Sequence, residues 1–198
     1  MTYRVIQWST GNVGTAALRC IIRHPDLELV GVWVHSAAKA GKDAGELCGL
    51  PPTGVLATND ADALLALEAD CVSYTATADL RPMDAINDMA RVLRSGKNVV
   101  SSSVVAAIYP AHLDPSMRKP LDDACAAAGV SCFTSGIDPG WANDALLALD
   151  ADCVSYTATA DLRPMDAIND MARILRSGKN IVSSSVVAAI YPAHLDPS

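Results

Sequence analysis

One passage of 55 residues occurs twice in this chain. The run from Asp62-Ala63-Leu64 to Asp114-Pro115-Ser116 returns at 144–198, offset by 82 positions, with three changes: Glu68 to Asp150, Val92 to Ile174 and Val99 to Ile181. Both copies encode the same strand, helix and strand, so any one interior place in a sheet has two equally suited occupants. Solenoid packing is excluded, because its repeats must be neighbours to bury a shared core and these two are separated by 27 different residues, 117–143. The join at Asn143-Asp144-Ala145-Leu146 resembles Asn59-Asp60-Ala61-Asp62-Ala63-Leu64, as if the chain had jumped backward at a shared Asp-Ala-Leu. The chain therefore reads as a chimera, with a first domain over 1–143 and a duplicate over 144–198.

The first domain alternates strand and helix. Tyr3 to Ser9 is an apolar strand that breaks at Thr10-Gly11-Asn12-Val13-Gly14 into a helical pattern carrying Ala16, Ala17, Cys20 and Ile21, stopped by His24-Pro25-Asp26. Leu27 to Val34 is a second strand, apolar enough for burial on both faces of a parallel sheet. Then come a short third strand over Gly54 to Thr58, a short helix over Asp62 to Leu67 and a fourth strand over Asp70 to Thr75. Pro82 opens a helix with Met83, Ile86, Met89, Ala90 and Leu93 on one face, closed by Gly96. A fifth strand over Asn98 to Ser101, a helix over Pro120 to Ala128 ended by Gly129, and a sixth strand over Val130 to Thr134 complete the series.

Six strands joined by helices make a doubly wound parallel α/β sheet of Rossmann type the natural architecture. The duplicate repeats strand, helix and strand at Asp152 to Thr157, Pro164 to Ser177 and Asn180 to Ser183, and it stands where a substrate domain is expected. It is expected either to extend the sheet beyond the sixth strand or to exchange into a partner chain, giving a homo-oligomer.

Composition narrows the function classes. Apolar runs fall short of the roughly 18 residues that a membrane span needs, and the opening Met1-Thr2-Tyr3-Arg4-Val5 enters a strand without a signal-peptide layout, so a cytoplasmic location is expected. Fifteen basic against 22 acidic residues, a net charge of −7 and no basic stripe argue against nucleic acid as a partner. The six cysteines, at 20, 48, 71, 125, 132 and 153, have no Cys-x-x-Cys spacing, and the four histidines make no ligand spacing with them, so no metal site is expected.

Ser9-Thr10-Gly11-Asn12-Val13-Gly14 matches the dinucleotide fingerprint with serine at its first glycine. Gly11 lets the backbone approach a pyrophosphate, Gly14 lets the helix pack closely on the strand, and the free N–H groups of the helix start face the anion. An NAD site ordinarily has an acidic residue at the end of the second strand, on the ribose 2′-hydroxyl. Here that place reads Val34-His35-Ser36-Ala37-Ala38-Lys39, followed by Lys42. A missing carboxylate with cations and a hydroxyl nearby favours NADP over NAD; the other reading of these lysines is a solvated loop. Thr75 and Thr77 after the fourth strand, and Ser102 after the fifth, sit at the carboxyl ends where such sheets bind ligands. They line a nicotinamide ribose or they are turn residues, and the sequence leaves both open. Their duplicates, Thr157-Ala158-Thr159 and Ser183-Ser184-Ser185, adjoin no glycine turn of their own and are assigned no binding role.

Together with the fingerprint, Gly41-Lys42-Asp43-Ala44-Gly45-Glu46-Leu47, Tyr109-Pro110 and Gly136-Ile137-Asp138-Pro139-Gly140-Trp141 carry a resemblance. Over residues 1 to about 143 the chain resembles the dihydrodipicolinate reductase-related group that contains 2,4-diaminopentanoate dehydrogenases and amine dehydrogenases. The resemblance implies NAD(P)-dependent oxidation of a primary amine to a carbonyl plus ammonia, or the reverse reductive amination, with a small amine or ketone as partner. Carried over by motif, Gly11, Asn12, Val13 and Gly14 hold the pyrophosphate, His35, Ser36 and Lys39 the adenosine end, and Thr75, Ser102 and Asp138 the nicotinamide side.

The family's amine dehydrogenases commonly have a glutamate just beyond the fifth strand, where this chain has Ser103-Val104-Val105. They also continue into a second domain that covers the nicotinamide. Asp138 is the only carboxylate of the matched segment near the expected ring position, and is either catalytic or a turn-former before Pro139. The rival expectation from a different class is an NADP-binding module or engineered scaffold without turnover.

Overall fold

The computed structural model describes residues 1–79, 81–136, 153–156, 164–178 and 180–183. The chain divides into two compact units, Met1–Ser135 and Gly136–Ser198. In the first unit six parallel strands, β1 (Tyr3–Trp8), β2 (Leu27–Trp33), β3 (Ala57–Thr58), β4 (Cys71–Tyr74), β5 (Asn98–Ser101) and β6 (Cys132–Thr134), form one sheet in the order β3-β2-β1-β4-β5-β6. The order reverses between β1 and β4, and ligands of such sheets bind at the carboxyl ends beside that reversal.

The helices are α1 (Asn12–Arg23), α2 (Ala44–Cys48), α3 (Ala61–Leu65), α4 (Pro82–Arg94) and α5 (Pro115–Ala128), with 3₁₀ turns at Val105–Ile108 and Pro110–His112. Alternation along the strands assigns the two faces. Ile6, Trp8, Val72, Tyr74 and Val99 point into a core with Ile86, Met89 and Leu93 of α4 and Leu121 of α5. Leu18 of α1, Val32, Val34, and Ala44 and Cys48 of α2 form a smaller core.

Four elements differ from the sequence reading. The helix α5 begins at Pro115 rather than Pro120, because Asp114 caps it, accepting from the Ser116 N–H at 2.8 Å and hydroxyl at 2.6 Å. Pro120 then lies inside the helix, where its missing N–H leaves the Ser116 carbonyl without its usual donor. Neither the short helix α2 nor the two 3₁₀ turns were expected. The helix α2 exists because the Asp43 carboxylate caps it through Gly45 N–H at 2.7 Å and also accepts from the Thr53 and Gly54 N–H groups at 2.9 and 2.7 Å. These bonds hold the Asp43 carboxyl below the usual carboxylate range, the Thr53 N–H most strongly.

In the second unit β7 (Cys153–Tyr156), α6 (Pro164–Arg176) and β8 (Asn180–Ser183) repeat β4, α4 and β5 with the same bounds, each displaced by 82 residues. The strands β7 and β8 pair in parallel as a two-stranded sheet of their own. The expectation that the duplicate lengthens the sheet beyond β6 is thereby corrected. It is β4, of the first copy, that lies beside β1. No helix among the described residues is long and apolar enough to cross a membrane.

Candidate functional site

Beyond Trp8 the chain turns sharply. Ser9 donates its N–H to the Trp33 carbonyl at 2.9 Å and adopts φ +82°, the one non-glycine residue with positive φ among those described. This is the place of the fingerprint's first glycine, and the conformation is the reason a glycine usually stands there. Gly11, at the N-cap of α1, leaves open space where a side chain would stand, with no atom within 4 Å of an added Cβ. Asn12 and Val13 follow, exposed, in the first helical turn, whose N–H groups lack acceptors within the helix and lie at its positive end. Gly14 is buried, and a Cβ there would meet the Ser9 carbonyl oxygen at 2.3 Å and the Thr75 Oγ1 at 2.7 Å. Only a residue without a side chain lets α1 approach β1 this closely.

Under the turn lies the side chain of Gln7, fully buried. Its Nε2 donates to the Ser9 carbonyl and to Thr75 Oγ1, both at 2.8 Å, while the Thr75 hydroxyl donates to the Trp8 carbonyl at 3.0 Å. Thr75 thus ties β4 to the turn from below. Gln7 was not among the residues singled out from the sequence, where its one trace is an amide inside the apolar run Val5-Ile6-Gln7-Trp8.

Lys39 reaches back over the same turn. Its Nζ donates to the Thr10 carbonyl at 2.8 Å and to Thr10 Oγ1 at 3.2 Å, and Thr15 Oγ1 donates to that carbonyl at 3.3 Å. His35 and Ser36 are exposed just beyond β2, the His35 ring 6.1 Å from that of Trp33. Residues 34–42 contain no carboxylate. Thr10, Lys39 and the helix start therefore gather at one place, with His35 and Ser36 at the neighbouring strand end.

On the other side of β1, Thr77 and Ser102 are exposed. The Ser102 N–H donates to the Tyr74 carbonyl at 3.3 Å, as does the Ser103 hydroxyl, whose own N–H bonds Ser101 Oγ at 3.0 Å. Asp138 lies outside the described residues. Beneath these loops Trp33, Trp8 and Tyr74 stack across the sheet, with ring centroids 4.9 and 6.3 Å apart. The Tyr74 hydroxyl donates to Asp88 at 3.2 Å, and burial, reinforced by the Asp88 charge, pushes the phenol far above its ordinary range. Burial likewise raises Asp88. Among the described residues no group of histidine, cysteine, aspartate and glutamate side chains is placed to hold a metal ion.

Residues 5–103, which contain the turn and the strands β1, from Val5, to β5, match the family model described as dihydrodipicolinate reductase, N-terminus. The chain belongs to this family. It is 44% identical over 142 residues to an amine dehydrogenase of Streptomyces virginiae, covering 71% of this chain and 39% of the relative. A 4-hydroxy-tetrahydrodipicolinate reductase of Synechococcus elongatus is 27% identical over 129 residues, covering 65% of this chain and 45% of the relative. Among solved structures, the amine dehydrogenase from Mycobacterium smegmatis superposes with a TM-score of 0.64 at 23% identity, over 81% of this chain and 49% of that one. The chain thus spans less than half the length of these relatives. What it shares with the family is the Rossmann-type NAD(P)-binding fold.

Proposed function

We propose that the turn Ser9–Gly14 binds NADP in preference to NAD, and that the chain carries the cofactor unit of an amine dehydrogenase-type oxidoreductase acting on a small amine or ketone. The observation that carries this reading is one arrangement: a glycine turn open at Gly11 and closed at Gly14, with the Lys39 ammonium 2.8 Å from the Thr10 carbonyl beside a strand end without a carboxylate. The residues fit a dinucleotide. The α1 N–H groups and the space over Gly11 suit a pyrophosphate, while Lys39, Ser36 and His35 supply a cation and donors for a 2′-phosphate. Thr75, Thr77, Ser102 and Asp138 are proposed for the nicotinamide side, Asp138 on resemblance alone. When bound, the cofactor would supply the hydride acceptor for oxidising an amine, whose nitrogen leaves as ammonia after water adds, or the hydride donor for the reverse.

Titration calorimetry tests the preference. Gly11→Val should abolish binding without disturbing the fold, because Gly11 has ordinary φ, −72°, and open space for a side chain. Lys39→Glu should move the preference toward NAD by about 1–3 kcal/mol, the scale of one charge-assisted hydrogen bond. Equal dissociation constants for the two cofactors in the parent chain exclude the NADP preference.

A second reading, a cofactor-binding module without turnover, is favoured by the end of β5. There Ser103-Val104-Val105 stands in place of the family's glutamate, and the Ser103 hydroxyl donates to the Tyr74 carbonyl. Steady-state assay with simple primary amines separates the two: an NADP-dependent rate abolished by Gly11→Val establishes the enzyme, and binding without such a rate establishes the module.

A further inference from the structure

Ser9 holds a backbone conformation that side chains disfavour, and something must hold it there. A residue with φ near +82° lies in the half of backbone space that glycine enters freely and L-residues enter at a penalty. Such strain persists only where the surroundings over-determine it. The atom that the surroundings grip is the Ser9 carbonyl oxygen, which accepts from Gln7 Nε2 at 2.8 Å and faces Gly14 and Thr75.

The chemistry of Gln7 suits this task. Its amide nitrogen has two hydrogens, and two acceptors stand at 2.8 Å, the Ser9 carbonyl and Thr75 Oγ1. The Thr75 hydroxyl can accept from Gln7 because its own hydrogen goes to the Trp8 carbonyl. In a planar trans peptide the C=O and the next N–H point opposite ways. Drawing the Ser9 carbonyl inward toward Gln7 therefore turns the Thr10 N–H away from the core, and sets the direction in which the chain enters Gly11 and α1.

We propose that Gln7 is the positioning residue of the cofactor turn: its buried amide, braced by Thr75, holds Ser9 in the left-handed conformation and so makes a serine serve where the fingerprint has its first glycine. The inference rests on reading Ser9–Gly14 as the cofactor turn.

A double-mutant cycle on the full 198-residue chain tests it. NADP+ and NAD+ affinities are measured by calorimetry, and urea midpoints by circular dichroism. Gln7→Leu should weaken binding by roughly tenfold when Ser9 is present, as expected for a lost buried hydrogen bond. On a Ser9→Gly background the same change should cost about threefold or less, since glycine needs no help to reach positive φ. Thr75→Val should act like Gln7→Leu, and Thr75→Ser, which keeps the hydroxyl, should restore the parent affinity. If Gln7→Leu does not fold, the Thr75 pair on both backgrounds decides the same coupling.

Equal losses on the two backgrounds, or no loss in a parent chain that binds, overturn the role of Gln7. A parent chain that binds neither cofactor overturns the cofactor reading instead. The urea midpoints then stand alone: additive effects of Gln7→Leu and Ser9→Gly sink the coupling, and rescue by Ser9→Gly upholds it.

Discussion

Residues 62–116 and 144–198 differ at three positions, yet their strands have different neighbours. In the first copy β4 lies between β1 and β5, and β5 between β4 and β6. In the second, β7 and β8 pair with each other. The strand, helix and strand have the same bounds in both, so this unit forms from its own sequence: Pro at the helix start, a one-sided apolar stripe, and parallel strands paired across the crossover. What differs is what the unit can do. Beside β1, Thr75 joins the network under the glycine turn. The second copy carries the same hydroxyl at Thr157, but no glycine turn precedes its strand. What a residue does is thus set by its neighbour across the sheet as much as by its own sequence.

The comparison breaks most sharply in β4. Val72 is fully buried between β1 and β5, and Val72→Asp should unfold the first unit, since an unpaired buried charge costs on the order of 3–5 kcal/mol. Val154→Asp, at the same place in β7, should leave cofactor affinity unchanged. If Val72→Asp retains binding, the intact second copy has moved into the place beside β1, within the chain or from a partner. Light scattering distinguishes these, because exchange between chains gives dimers or larger assemblies and the connection within one chain adds only about 0.6 kcal/mol per doubling of loop length.

Two of the three differences measure how closely that place fits its occupant. Val92 and Val99 are both fully buried, and the second copy has isoleucine at both positions, Ile174 and Ile181. Val92→Ile with Val99→Ile should lower stability by about 1–3 kcal/mol, the usual penalty for overpacking, read as a lower urea midpoint. No change would mean that the core accepts either copy.

The smallest effect expected is a pH dependence carried by Tyr74. A group whose pKa is raised by folding contributes stability that is present below its unfolded value and lost as the pH climbs toward the folded one. Burial raises Tyr74, so the first unit should lose stability above about pH 10, where the unfolded tyrosine ionises. Asp88, also raised by burial, acts in the same sense at acid pH, its contribution fading as the pH rises through the carboxylate range. Tyr74→Phe should flatten the alkaline loss in urea midpoints measured from pH 8 to 11; an unchanged slope would mean that other groups cause it.

Much of the fold was legible because its signals are local. Apolar runs bounded by glycine and proline marked the six strands, and Pro82 and Gly129 marked helix ends, since such preferences depend on near neighbours in the chain. The start of α5 was misplaced because a helix interior normally excludes proline, and Asp114 with Pro115 forms a start strong enough to carry Pro120 inside. The glycine turn between β1 and α1 was legible from its spacing. Gln7 was not, because an amide in a strand gains meaning only from Thr75, 68 residues away.

By itself, the sequence determined the alternation of strands and helices, the parallel α/β class, the glycine turn after β1 and the presence of two equivalent strand-helix-strand units. These follow from side-chain periodicity and backbone preference, which act over a few residues. Only the tertiary structure decided that β4 rather than β7 lies beside β1, that Ser9 takes a glycine's conformation over a buried amide, and that Lys39 reaches Thr10, 29 residues away. Each depends on which surfaces meet when the sheet assembles, and packing and hydrogen-bond satisfaction across the sheet select among partners that local preference treats alike.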